Sequence, residues 1–183
     1  MRIAVLSDIH DNVRALSVAL AAVGDTDCMI CCGDLCSPFI IDQLARGFSK
    51  PIHIVFGNND ADLFRITAKT ARYPNIRLRG EFFEENFDGR LIAVNHFDNI
   101  AAAIARAGHH DAVFYGHNHI FHNAISSGKT LLLNPGSIMG CQLDAEARQT
   151  LVAPTFAVYD TTAGAAQGYR IEEGGASILQ TPG

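Results

Sequence analysis

Seven side chains with oxygen or nitrogen donors follow directly on short apolar runs: Asp8, His10, Asp34, Asn58, His96, His117 and His119. They stand in the strings Asp8-Ile9-His10, Gly33-Asp34, Gly57-Asn58-Asn59-Asp60, Asn95-His96 and Gly116-His117-Asn118-His119. Carboxylates, imidazoles and an amide, with no thiol among them, form a donor set of intermediate hardness. Such a set suits Mn²⁺, Fe²⁺, Co²⁺, Ni²⁺ or Zn²⁺ rather than Cu⁺. Seven donors are too many for one such ion. They suit two ions roughly 3.5–4 Å apart that share one carboxylate, a spacing at which both can clamp one phosphoryl group.

The elements that must position these residues can be read from the apolar pattern. Residues 3–7, 28–32 and 52–56 are short continuous apolar runs, as expected for strands covered on both faces. Helical spacing covers 12–23 and 39–45, the latter after Ser37-Pro38, where Ser can cap and Pro can start a helix. This alternation favours right-handed βαβ units and a largely parallel sheet. Further on, 63–71 and 100–107 read as helices and 112–115 as a buried strand. Residues 81–87 and 90–95 flank Asp88-Gly89 as a hairpin, 121–126 and 130–133 form a second, and 155–159 with 168–171 a last strand pair. Residues 1–173 read as one domain, and the Gly-rich stretch 174–183 as a frayed tail. In an open α/β sheet, ligands gather outside the carboxyl ends of the strands, which is where all seven donors fall.

The order Asp-x-His, Gly-Asp, Gly-Asn-x-Asp, His, Gly-His-x-His resembles the calcineurin-like metallophosphoesterase superfamily. Asn134-Pro135-Gly136-Ser137 and the short chain resemble its compact bacterial and archaeal phosphodiesterase branch, which is also similar to the Vps29-type retromer subunit. The resemblance implies an α/β fold, a two-sheet β-sandwich flanked by helices in four αββα layers. It implies that Asp8, His10, Asp34 and His119 hold one ion and that Asp34, Asn58, His96 and His117 hold the second, with Asp34 bridging. Two divalent transition-metal ions are expected, Mn²⁺ first, with Fe²⁺, Ni²⁺, Co²⁺ or Zn²⁺ as alternatives. The implied activity is hydrolysis of a small phosphodiester or phosphomonoester by in-line attack of a metal-bridging hydroxide.

The chain departs from that pattern in two places. Many relatives carry His or Cys where this chain has Asn59, and a neutral amide cannot act as a general acid near pH 7. Asn59 and Asp60 are the candidate catalytic residues beside the metals, Asn59 by hydrogen bonding and Asp60 by orienting its neighbours or capping the next helix. The family string His-Gly-His reads His96-Phe97-Asp98 here, which keeps the ligand, offers Phe97 as an apolar wall and leaves Asp98 to cap a helix. Asp11 stands where glycine is common, and Asn12 is an expected N-cap. His53, His109, His110 and His122 sit in no motif and read as ordinary core or surface histidines.

Hydrophobic residues at 48% and charged residues at 18% mark a globular chain. A net charge of -5 and the absence of a basic stripe argue against a nucleic-acid partner but say little about a small phosphate ester, the substrate the resemblance implies, whose charge metal ions could meet. No apolar run approaches the roughly 20 residues of a membrane helix. Cys28, Cys31, Cys32 and Cys36 cluster without the separated pairs of a zinc motif, which points to reduced, mostly buried thiols and a cytoplasmic protein. The stretch 138–154 is long for a loop and is a candidate lid, with 145–150 as a possible helix. The alternative function is a catalytically weak, protein-binding scaffold of the Vps29 type.

Overall fold

The computed structural model describes residues 1–126, 128–144 and 148–179. Arg2–Leu6 (β1) leads through Val13–Ala22 (α1) to Cys28–Cys31 (β2), then through Phe39–Gly47 (α2) to Ile52–Ile54 (β3). Leu63–Thr70 (α3) and Ile76–Leu78 (β4) complete this half, and β1 to β4 lie side by side in parallel. Successive side chains of a strand point to opposite faces. Ala4, Leu6, Met29, Cys31, Ile52 and Ile54 therefore pack under the three helices, whereas Ile3, Val5, Cys28, Ile30 and Cys32 face the other way. Burial on both faces explains why these strands read as unbroken apolar runs.

The second sheet begins with the hairpin Phe82–Phe87 (β5) and Arg90–Asn95 (β6), turning at Asp88-Gly89. Asp98–Ala107 (α4) leads to Ala112–Phe114 (β7), and His122–Ser126 (β8) pairs with Thr130–Asn134 (β9). Its order is β5-β6-β7-β9-β8, with β6, β7 and β9 parallel. Phe83, Phe87, Ile92, Val94, Phe114 and Leu133 meet the inner face of the first sheet, and Ala93, Val113 and Tyr115 meet Ala101 and Ala105 of α4. Four layers result: α1 to α3, two sheets, and α4.

Cys141–Leu143 (β10) and Gln149–Leu151 (β11) form a small antiparallel ribbon, so residues 149 and 150 are strand and not helix. The expected helix otherwise falls on 145–147, outside the described residues, and on Arg148, which precedes β11. Thr155–Asp160 (β12) returns antiparallel to β1, followed by Ala165–Glu172 (β13) and Gly175–Ile178 (β14). The first sheet thus has the order β14-β13-β12-β1-β2-β3-β4 and is mixed, not largely parallel. Its antiparallel half comes from β12, β13 and β14; β14 is paired within the stretch expected to fray, and residues 180–183 of that stretch lie outside the described residues. β4 has no apolar run to announce it: within Ile-Arg-Leu, Ile76 alone is buried.

Three capping expectations change. Pro38, not Ser37, takes the cap position of α2, without a side-chain cap, and the Ser37 hydroxyl donates to Asp11 Oδ2 at 2.6 Å. α3 is capped by Asp62, which accepts from the Arg65 amide at 3.1 Å, and not by Asp60. Asp98 lies inside the first turn of α4, where its charge complements the helix dipole, and Phe97 takes the cap position without a side-chain bond. Asn12 does cap α1, accepting from Ala15 N at 3.1 Å.

Candidate metal centre

The carboxyl ends of β1, β2, β3, β6 and β7 deliver Asp8 and His10, Asp34, Asn58, His96, and His117 and His119 to one crevice. The chain turns sharply at each delivery. Asp8, His10, Asp34, His117 and His119 all have φ between 42° and 73°, as do Asp11 and Cys36. Left-handed backbone at non-glycine residues costs of order 1–3 kcal/mol each and persists where surrounding structure enforces it. Here the Asp8 and Ile9 amides donate to Gly33 O and Asp34 O at 3.0 and 2.9 Å, knitting the first two loops together. The His117 amide donates to Asp8 Oδ2 at 3.1 Å, which ties the two sheets across the site.

Two groups of donors converge: Asp8, His10 and His119, and Asp8, Asp34 and His96. His119 Nε2 lies 3.3 Å from Asp8 Oδ1, and His10 Nε2 lies 3.8 Å from the same atom. Asp8 belongs to both groups, and Asp34 of the second reaches toward the first, its Oδ2 lying 3.3 Å from His10 Nε2 and 3.5 Å from His96 Nε2. Asn58 Oδ1 adjoins the second group, 3.1 Å from His96 Nε2 and 2.9 Å from His117 Nδ1. The seven residues singled out in the sequence are thereby brought together.

The imidazoles are aimed by their far nitrogens. His96 Nδ1 donates to Cys32 O at 2.7 Å and His119 Nδ1 to Cys141 O at 2.8 Å, so each Nε2 is left facing the carboxylates. His10 Nε2 is buried between two carboxylates without a hydrogen bond. A proton shared with these carboxylates or a divalent ion can complete that nitrogen, and such an ion fits this donor set.

Charge in the crevice follows from the same contacts. Burial works against a charged His10, but Asp34 and Asp8 outweigh it and push the imidazole up to about 12. Burial likewise opposes the Asp34 carboxylate, yet His10 and His96 hold it far below the usual carboxylate range. His96 and His119 are also raised, against burial, by Asp34 and Asp8 respectively. Without metal, imidazolium protons neutralise the acids, and each must leave before its nitrogen can ligate. Adding Mn²⁺ to metal-free protein at pH 7 is therefore expected to release protons, and the apparent affinity to rise with pH. A pH-stat titration reads the first and calorimetry at several pH values the second; proton-neutral uptake contradicts this balance.

Asp60 supports the site without entering it. Its carboxylate accepts from the backbone amides of Asp34, Leu35, Cys36 and Gly57 at 2.8–3.0 Å, which fixes the loops after β2 and β3. Asn59 also turns inward, its Nδ2 donating to Asp34 Oδ2 and its backbone amide to Asp34 Oδ1, both at 2.8 Å. Both act by positioning. Phe97 packs edge-on to His96 and His117, with ring centroids 5.2 and 5.1 Å away, as an apolar wall. His53 is buried near Glu85, His110 Nε2 lies 2.9 Å from Glu84, and His109 and His122 are exposed, all apart from the seven donors.

Some supporting residues carry weaker sequence signals. The Ser137 hydroxyl donates to Asp8 O at 3.0 Å, and Asn134 Nδ2 to Gly116 O at 2.8 Å. Gly116 has no room for a side chain: a Cβ would lie 1.9 Å from Ser7 Oγ and 2.5 Å from Asp8 Oδ2. Gly116→Ala is expected to displace Asp8, destabilise the fold by about 1–3 kcal/mol as overpacking does, and weaken metal uptake. Chemical denaturation with and without Mn²⁺ checks this. An alanine variant as stable and as metal-binding as the parent contradicts it.

The sequence model of the calcineurin-like phosphoesterase superfamily domain matches residues 1–164. No curated protein sequence matches the chain. Among solved structures, an archaeal phosphodiesterase superposes with a TM-score of 0.77 at 22% identity, covering 93% of this chain and all of that one. Vps29 from Entamoeba histolytica, complexed with zinc, gives 0.66 at 18% identity over 98% of this chain and 97% of its own. YfcE, a phosphoesterase from E. coli, gives 0.62 at 15% identity over 98% and 97%. At these identities the structures speak for the fold, while the sequence match spans most of the chain. The chain belongs to the calcineurin-like phosphoesterase superfamily.

Proposed function

We propose that this protein hydrolyses a small phosphodiester or phosphomonoester at a centre of two divalent transition-metal ions, Mn²⁺ foremost. One observation carries the reading: Asp34 Oδ2 lies within 3.3 Å of His10 Nε2 and 3.5 Å of His96 Nε2, so that this one carboxylate could serve ions held on either side. Asp8, His10 and His119 complete one side, and Asn58, His96 and His117 the other. When bound, two cations neutralise phosphoryl oxygens as charge develops and supply an activated water as nucleophile. The chain's own part is to hold the donors rigid through Asp60, Asn59 and the carbonyls of Cys32 and Cys141. Phe97 walls one side of the crevice against solvent. The five free cysteines fit a reducing, cytoplasmic setting. No helix among the described residues is long and apolar enough to cross a membrane.

A second reading, a protein-binding scaffold of the Vps29 type, is favoured by exposed apolar residues remote in sequence from the donors, with Leu151 84% and Ile178 62% exposed. Bis(4-nitrophenyl) phosphate and 4-nitrophenyl phosphate decide between them. Nitrophenol release that needs added Mn²⁺ and stops with chelator is expected. Folded, Mn²⁺-loaded protein that cleaves neither ester leaves the scaffold.

A further inference from the structure

We propose that Cys36 is the positioning residue for His10, and that its thiol does for this imidazole what backbone carbonyls do for His96 and His119. The inference rests on the metal-centre reading above. Cys36 Sγ lies 3.4 Å from His10 Nδ1, within reach of a hydrogen bond to sulfur. The other two far nitrogens meet Cys32 O and Cys141 O, which accept hydrogen bonds and cannot donate them. A thiol is both a weak donor and a weak acceptor. With Nδ1–H donating to Sγ, the Nε2 lone pair faces Asp8 and Asp34 and is free to ligate. With Sγ–H donating to a neutral ring, the proton sits on Nε2 and ligation is blocked. Metal uptake therefore selects the first arrangement, and sulfur holds it.

The loop is built to keep the thiol there. Cys36 has φ 73°, a left-handed conformation disfavoured for any side-chain-bearing residue. Its amide is held by Asp60 Oδ1 at 2.9 Å, and the preceding Leu35 amide by the same oxygen at 2.8 Å. Asp60 thus fixes Asp34 through one carboxylate oxygen and, through the other, the cysteine that orients His10. Unlike Cys28, Cys31 and Cys32, which are buried in or beside β2, Cys36 is only partly buried and touches the site. Of the three contacts that orient these rings, it is the one a side-chain substitution can delete.

Calorimetric titration of metal-free protein with Mn²⁺ tests this with three variants. Cys36→Ala removes the acceptor, Cys36→Ser keeps an acceptor oxygen, and Cys36→Gly removes the side chain while suiting φ 73°. Deleting a partner of a ligating histidine typically costs 10–100-fold in metal affinity. The alanine and glycine variants are expected to lose about tenfold or more in Mn²⁺ affinity, with serine within about threefold of the parent. The metal-free Tm of the glycine variant should equal or exceed the parent's, which separates loss of the contact from loss of the fold. Parental Mn²⁺ affinity in the alanine and glycine variants overturns the proposal, as does a serine variant as weak as alanine. A parent chain that takes up no Mn²⁺ overturns it together with the proposed function. A chain that shows the expected pattern yet cleaves no ester supports the role of Cys36 and overturns the phosphoesterase reading alone.

Discussion

Asp34→Ala is expected to lower kcat/KM for an aryl phosphodiester by about 10³-fold or more. In the proposed centre Asp34 is the shared carboxylate, since its Oδ2 approaches both His10 and His96. Losing it removes a negative charge from a crevice crowded with imidazoles and, in the proposed centre, would leave the two ions without a common ligand. Metal ions contribute several kcal/mol of transition-state stabilisation, and each 1.36 kcal/mol is a factor of ten in rate. The fold should survive, because Asn59 is an exposed residue whose part-buried donors to Asp34 can turn to water. Mn²⁺ should accordingly raise the Tm of the parent protein and have little effect on the variant. A variant within tenfold of the parent in kcat/KM, with the same Mn²⁺-induced rise in Tm, would remove Asp34 from the centre of the account.

The second large effect is a steep dependence on the leaving group. General acid catalysis typically contributes 10²–10⁴-fold, and this chain lacks the expected donor. Asn59 has no proton to give near pH 7, and its amide is engaged with Asp34 Oδ2. Esters whose leaving group departs without protonation should therefore be turned over faster than alkyl esters, by about 10²-fold or more. Rates across a series of substituted phenyl and alkyl phosphodiesters measure this slope. An alkyl phosphomonoester cleaved as fast as a nitrophenyl diester would show that a proton donor exists and that Asn59 is not a deficit.

Much of this centre could be read from the sequence because its ligands obey a simple rule. Each follows an apolar run, and β1, β2, β3, β6 and β7 are parallel strands whose carboxyl ends share one edge of the molecule. The hairpin at Asp88-Gly89 was equally legible, since its turn chemistry is local. What escaped depends on contacts far apart in the chain. Ser37 looks like a helix cap until Asp11, 26 residues away, takes its hydroxyl. Asp60 looks like a cap for α3 until four amides from two loops converge on it. Cys36 carries no local sign that His10 will lie beside it, and β4 is too short and too polar to show a period. Composition near Gly174 suggests fraying, but pairing with β13 supplies the backbone partners that composition cannot forecast.

The central claim is that two ions, held by Asp8, His10, Asp34, Asn58, His96, His117 and His119, perform the hydrolysis. Titrating metal-free protein with Mn²⁺ while following nitrophenol release from bis(4-nitrophenyl) phosphate tests it most directly. The account predicts no release before metal is added and a rise that levels off at two ions per chain. Release in the presence of chelator, full activity at one ion, or two ions bound with no release would contradict it.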